Sequence, residues 1–188
     1  MSSKLRSHFP DLDELLGGGF EPGEIYLLYG PARPTETILF TLTVSSQLPE
    51  TKGGLDSPVL LVDNANIFNP DAVTRVAIAL ELNVKEVLSR IFVARALDWM
   101  QFSEIVEKLE TLIAEKKARL VLIAGLVGFA SSVPAQASLA HITTRLKMLA
   151  KSQGIIVITT ASEHDPSLPL LDKTIRVSQD GAQVAFKL

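Results

Sequence analysis

The sequence contains no cysteine, which excludes disulfides and thiolate metal centres. Its three histidines, His8, His141 and His164, are scattered and lack the spacing of a ligand cluster, so no metal is expected. No apolar run reaches the roughly 18 residues of a membrane span. The opening stretch MSSKLRSHFPDLDELLGGGF has no signal-peptide apolar region, so the expected location is cytoplasmic, away from membranes. Positive charge is not in excess either: 18 Lys and Arg stand against 21 Asp and Glu, a net charge of -3. No global basic field therefore draws the chain to nucleic acid, although a local patch stays open. Internal repeats, low-complexity tracts and linkers are also missing. What remains is 188 residues, 47% hydrophobic and 21% charged, which fits one globular domain over 1–188 with a sizeable core.

Hydrophobic periodicity predicts strands alternating with helices. Leu12, Leu15 and Leu16 mark a short helix that Gly17 to Gly19 end, and Glu21-Pro22-Gly23 is a turn. The apolar runs 25–29, 58–62, 91–93, 120–123 and 155–158 read as five strands. Helices are expected over about 36–47, 70–82, 83–90, 98–117, and from the small-residue stretch 130–137 to Gly154, with Asn69, Asn83 and Asp98 as N-caps. Segments 174–177 and 182–186 flank Gln179-Asp180-Gly181, a hairpin signal. Continuous apolar strands between helices predict an α/β fold: a mostly parallel central sheet, helices on both faces and a C-terminal antiparallel hairpin at one edge. Ligands in such folds sit at the carboxyl ends of the strands, so the loops after Tyr29, Val62 and Ile123 are the places to look for chemistry.

The stretch that organises the chain is EIYLLYGPARPTET, Glu24 to Thr37. A buried strand, a glycine, a loop and a helix follow one another in the layout of a phosphate-binding loop, G-x-x-x-x-G-K-[S/T]. Gly30 and Thr37 fall on the first and last positions of that pattern. Thr35 stands on the second glycine and Glu36 on the lysine. Of the loop Gly30, Pro31, Ala32, Arg33, Pro34, Thr35, Glu36, Thr37, the frame is kept and the phosphate chemistry is gone.

Several segments together, LDELLGGGFEPGEIYLLYGP, VLLVDNANIFNPD, LSRIFVARALDW, ARLVLIAGLVGF and GIIVITTAS, resemble in the same order the ATPase core of the RecA/RadA recombinase superfamily. The resemblance is strongest to its RadB-like and KaiC-like archaeal branches and covers nearly the whole chain. It implies a RecA-like P-loop NTPase fold, ATP-linked work on DNA and neighbour-to-neighbour assembly. The recombinase N-terminal DNA-binding domain is not matched.

The family's chemical positions can be followed one by one. An active phosphate loop offers free backbone N–H groups and a lysine charge. Arg33 and Thr35 replace glycines, Pro34 has no N–H, and Glu36 puts a carboxylate against the phosphates. Unit charges about 4 Å apart interact by about 4 kcal/mol at an effective dielectric near 20, so reversing the sign costs roughly 8 kcal/mol, about the free energy of micromolar binding. The resemblance also implies a metal-organising Asp where this chain has Ala124. It implies a catalytic Glu at Ala65 (Asp63 matches a nearby family aspartate) and a nucleotide-sensing polar pair at Thr160-Ala161. An alanine neither activates water nor binds a metal.

Of the two DNA-holding loops, GLVGFASSVPAQAS has no cation and ASEHDPSLPLLDK has one lysine, so direct nucleic-acid binding is expected to be weak or nil. Arg33 is either an exposed loop residue or the partner of Glu36 in an ion pair that fills the phosphate site. Trp99 and Phe102 are either core or interface. The run Glu115 to Arg119 reads as a solvated helix end.

The expectation is thus a protein without ATPase activity or cofactor. It would be a regulatory or binding partner of a RadA-type recombinase or related ATPase in DNA recombination and repair, with homo-oligomer formation open. The alternatives are a nucleotide sensor that does not hydrolyse, and a KaiC-like or Elongator-like scaffold subunit unrelated to DNA.

Overall fold

Seven strands form one sheet in the order β3-β2-β4-β5-β1-β6-β7 among the described residues. The computed structural model describes residues 3–126, 135–162, 171–181 and 183–188, with the side chains of 135–138 left aside. The strands are β1 (Ile25–Tyr29), β2 (Val59–Asp63), β3 (Ile91–Arg95), β4 (Leu120–Ala124), β5 (Ile156–Ala161), β6 (Lys173–Asp180) and β7 (Gln183–Lys187). The helices are α1 (Pro10–Leu15), α2 (Ala32–Ser45), α3 (Pro70–Ala79), α4 (Val84–Ser89), α5 (Trp99–Lys116) and α6 (Ala135–Gln153).

The continuous apolar strands have the burial that a two-faced parallel sheet requires. Along β2, Val59 and Leu61 face one core while Leu60 and Val62 face the other. β4 divides in the same way, Leu120 and Leu122 against Val121 and Ile123. The first core is closed by α1 to α4, the second by α5 and α6. Phe102 lies fully buried in the second core with Trp99 edge-on to it at 5.7 Å, so this pair is core rather than interface.

The predicted caps are present. Asn69 accepts from the Asp71 and Ala72 amides, Asn83 from Glu86, and Asp98 from Gln101, whose side chain in turn accepts the Leu97 amide. Each cap satisfies N–H groups that the first helical turn leaves free. The run 115–119 is less solvated than expected: Lys116 sits over the Phe92 ring, Ala118 is buried, and Arg119 pairs with Glu50 and donates to the Leu55 carbonyl.

Several boundaries differ from the sequence reading. Helix α3 stops at Ala79 instead of running to 82. Strand β5 extends to Ala161, so Thr160 and Ala161 end the strand instead of following it. The expected C-terminal antiparallel hairpin is present as β6 and β7, with β6 parallel to β1 and β7, among the described strands, the antiparallel one. A further difference, the start of α2, bears on function. No helix among the described residues is long and apolar enough to cross a membrane.

Candidate functional site

The carboxyl edge of the sheet is built by Tyr29, Asp63, Ala124 and Ala161, with Tyr29 opposite Ala161 and Asp63 opposite Ala124. Gly30 leaves β1 with φ +151°, its amide donating to the Ala161 carbonyl at 3.2 Å. A Cβ there would lie 2.1 Å from the Val177 carbonyl oxygen, so the absence of a side chain is what lets β6 close against this turn.

Pro31 then caps α2, which begins at Ala32 and not near Glu36. The segment expected to be an open loop is helical. Proline is compatible with a helix's first turn, where the missing N–H has no intrahelical partner, and Pro34 lies in that turn. The Thr35 amide makes the first helical bond, to Pro31, and the Thr35 hydroxyl also donates to the Pro31 carbonyl at 2.8 Å. The Thr37 hydroxyl, on the pattern's metal-ligating position, donates to the Arg33 carbonyl at 2.9 Å.

Arg33 and Glu36 form no ion pair among the described residues, so of the two readings of Arg33 the exposed residue is the one present. Arg33 instead lines a cavity of about 320 Å³ with Phe9, Pro34, Thr37, Gln179 and Val184. Residues three apart on a helix can pair, so the helix by itself does not exclude the contact; Arg33 lies instead beside Val184 of β7.

The other positions have structural duties. Ala124 is fully buried and its carbonyl accepts the Asn64 amide at 3.0 Å. Ala65 is exposed just past β2, and a Cβ on Gly125 would come within 3.0 Å of the Ala65 methyl. The Thr160 hydroxyl accepts the Gly125 amide at 3.1 Å and its carbonyl accepts Leu126 at 2.9 Å. Thr160 thus ties β5 to the turn after β4. Both DNA-loop candidates lie largely in 127–134 and 163–170, outside the described residues.

The profile of the Rad51 family matches residues 4–167. The chain belongs to the Rad51 family. It lies within the RecA/RadA superfamily, and its mostly parallel sheet with a C-terminal hairpin is consistent with the RecA-like core. One relative is the DNA repair and recombination protein RadA of Aeropyrum pernix K1, 33% identical over 139 residues. Those residues are 73% of this chain and 44% of RadA, so the chain spans less than half the length of that curated relative.

In this Rad51-family chain two residues at the strand ends carry roles that motif reading missed. Asp63 is fully buried, and its carboxylate accepts the Ile67 amide at 2.9 Å, the Phe68 amide at 3.0 Å and Arg95 at 3.3 Å. It shapes the turn from β2 into α3, in which Asn66 adopts φ +54°. Asn64, next to it, has both side-chain polar atoms buried without a hydrogen-bond partner, a cost that a bound polar group would remove. The sequence signal was the Asp-Asn-x-Asn run, whose residue types favour turns and left-handed backbone. Among the described residues no group of His, Cys, Asp and Glu could hold a metal ion.

The opposite end of the sheet carries the marked electrostatics. Tyr26 donates to the Glu24 carboxylate and accepts the Glu21 amide; burial, reinforced by the Glu24 bond, pushes its phenol well above the ordinary value. Asp172 joins Lys147 at 2.6 Å and accepts the Ile25 amide at 3.1 Å. Burial pushes its carboxyl up, but these bonds and the charges of Lys147 and Lys151 together hold it below the ordinary value of 3.8.

A lowered folded value means that the stabilisation is whole above pH 3.8 and is lost as the pH falls through the folded value. Asp172→Asn is therefore expected to melt below wild type near pH 6 and to converge with it near pH 2 to 3, both roughly, on this linkage. Melting curves that stay parallel to the lowest pH would refute the assignment.

Proposed function

We propose that this Rad51-family chain is a pseudo-ATPase: a RecA-type fold without ATPase activity that serves as a regulatory or binding partner in DNA recombination and repair, its partner being a RadA-type recombinase or related ATPase. The observation that carries the reading is the start of α2 at Ala32. A triphosphate needs a ring of free backbone N–H groups and a cation. In this chain the amides from Thr35 onward enter helical bonds, Pro34 has none, and half-buried Glu36 stands on the lysine position. The Thr37 hydroxyl is engaged by its own helix. Ala65 and Ala124 supply neither a base nor a metal ligand, and the residues present do not fit a magnesium-bound nucleotide.

The process comes from the kinship with RadA, whose name describes DNA repair and recombination. A second reading, a sensor that binds nucleotide without hydrolysing it, is favoured by one observation: the unpartnered Asn64 amide at the carboxyl edge of the sheet.

Calorimetric titration of ATP and ADP with Mg²⁺ separates the two. The expected result is no heat and no thermal stabilisation at millimolar nucleotide. Saturable binding in the micromolar range that Asn64→Ala weakens would instead establish the sensor.

A further inference from the structure

We propose that the groove between α2 and α3 docks an amphipathic helix of a protein partner, one with carboxylates along the edges of its apolar stripe. The proposal deepens the binding-partner reading and rests on it for the existence of such a partner.

The groove encloses about 410 Å³. On α3 it is lined by Ala72, Val76 and Ala79, a four-then-three spacing that puts all three on one stripe. On α2 it is lined by Thr37, Phe40 and Thr41. Those two threonines are less polar than their names suggest. Each hydroxyl donates to the carbonyl four residues back, Thr37 to Arg33 at 2.9 Å and Thr41 to Thr37 at 2.8 Å. With the hydroxyls turned into their own helix, the methyl groups are left for a visitor. Phe9, held edge-on to Phe186 at 6.1 Å, adds an aromatic wall. Phe40 is buried at the base of the groove, and the α3 stripe with the two threonine methyls forms the surface into which a third helix's stripe packs. Helix α3 has 10 residues, about three turns, which sets the length of helix it accommodates.

The rim decides the partner's charge. Arg75 and His8 border the groove, and Arg33 borders the adjoining cavity, which shares Phe9 and Thr37 with it. Arg33 and Arg75 are exposed, and among the described residues neither side chain has an ion pair. No carboxylate is among the described lining residues of either cavity. A cationic rim repels its own kind in a two-fold contact between two copies, and its charge complement is a carboxylate-bearing segment. Nucleic acid could meet the rim but would leave the apolar floor uncovered.

The test uses the full chain, ¹⁵N-labelled, and two synthetic amphipathic helical peptides of about four turns. Both carry leucines at helical spacing; one is flanked by glutamates, the other by lysines. The acidic peptide is expected to shift the amide resonances of Thr37, Thr41, Arg75 and Ala79 and to bind at least about tenfold more tightly than the basic one. Charge reversal by Arg33→Glu with Arg75→Glu should invert that preference. Ala79→Glu, at an exposed position, should block the acidic peptide while the melting temperature is kept.

Equal affinity for the two peptides, shifts confined elsewhere, or no binding at millimolar peptide would overturn the proposal. So would self-association of the chain that Ala79→Glu abolishes, since the occupant would then be a second copy. Nucleotide titration does not bear on the groove. Failure of the peptide test leaves the reading of an inactive phosphate site standing, and nucleotide binding would remove that reading alone.

Discussion

Asp63→Ala is expected to destabilise the protein by about 3 to 5 kcal/mol, because it leaves the Ile67 and Phe68 amides and the half-exposed Arg95 guanidinium without their shared acceptor. A buried donor left unmade costs about 1–3 kcal/mol, and bonds to a charged acceptor lie at the upper end. Against a whole-domain stability of about 5–15 kcal/mol this is a large fraction. The melting temperature should fall by roughly 6 to 20 °C for a chain of this size, and urea unfolding should show a lower midpoint at an unchanged slope. Asp63→Asn, which keeps one acceptor oxygen, should lose less. Arg95→Ala should cost less than Asp63→Ala, since the buried carboxylate keeps both of its amide donors. An alanine variant at Asp63 within about 1 kcal/mol of wild type would mean that the turn after β2 holds its shape without the carboxylate.

Gly30→Ala should be nearly as damaging, and for a reason unrelated to nucleotide. An added methyl would stand 2.1 Å from the Val177 carbonyl oxygen, at a backbone φ of +151° that side chains rarely adopt. Strain of this kind costs on the order of 1–3 kcal/mol and the forced backbone shift a similar amount, so a loss of about 3 kcal/mol or more is expected. Thermal unfolding without nucleotide is the measurement. If Gly30 were kept only for phosphate, the alanine variant would melt like wild type, and the packing of β6 on this turn would need another explanation. By contrast Thr35→Gly with Glu36→Lys, which restores the motif's letters, is expected to leave nucleotide binding undetectable by calorimetry, because Pro31 and Pro34 still favour a helix from Ala32.

The phosphate-loop register is where sequence and structure parted most usefully. Gly30 and Thr37 fit the motif, so a loop reaching to Glu36 was the natural expectation. An open phosphate loop is held open by glycines at left-handed angles and by its ligand. With Arg33 and Thr35 in those places, helix propagation from a proline-capped start wins, and both prolines were visible in the sequence. Of the two readings of Arg33, the structure shows the exposed one, although residues three apart on a helix can meet. Asp63 was noticed as a family aspartate but not as the acceptor that bends the chain into α3. That role depends on the amides of Ile67 and Phe68 turning back toward it, which no spacing rule predicts.

The order of strands and helices, their two-sided burial and the caps Asn69, Asn83 and Asp98 were determined by the sequence itself. These depend on residues within a few positions of one another, where side-chain periodicity and local hydrogen bonds decide the outcome. The residues Glu36, Ala65 and Ala124 were equally legible, and the loss of chemistry we propose for them rests on those residue types. Only the tertiary structure decided that β6 lies parallel to β1, that Gly30 must yield to Val177, and that α2 and α3 stand side by side with an apolar groove between cationic rims. Each of these joins segments that are not neighbours along the chain. Such contacts are selected by close packing of the whole core, which no local pattern encodes.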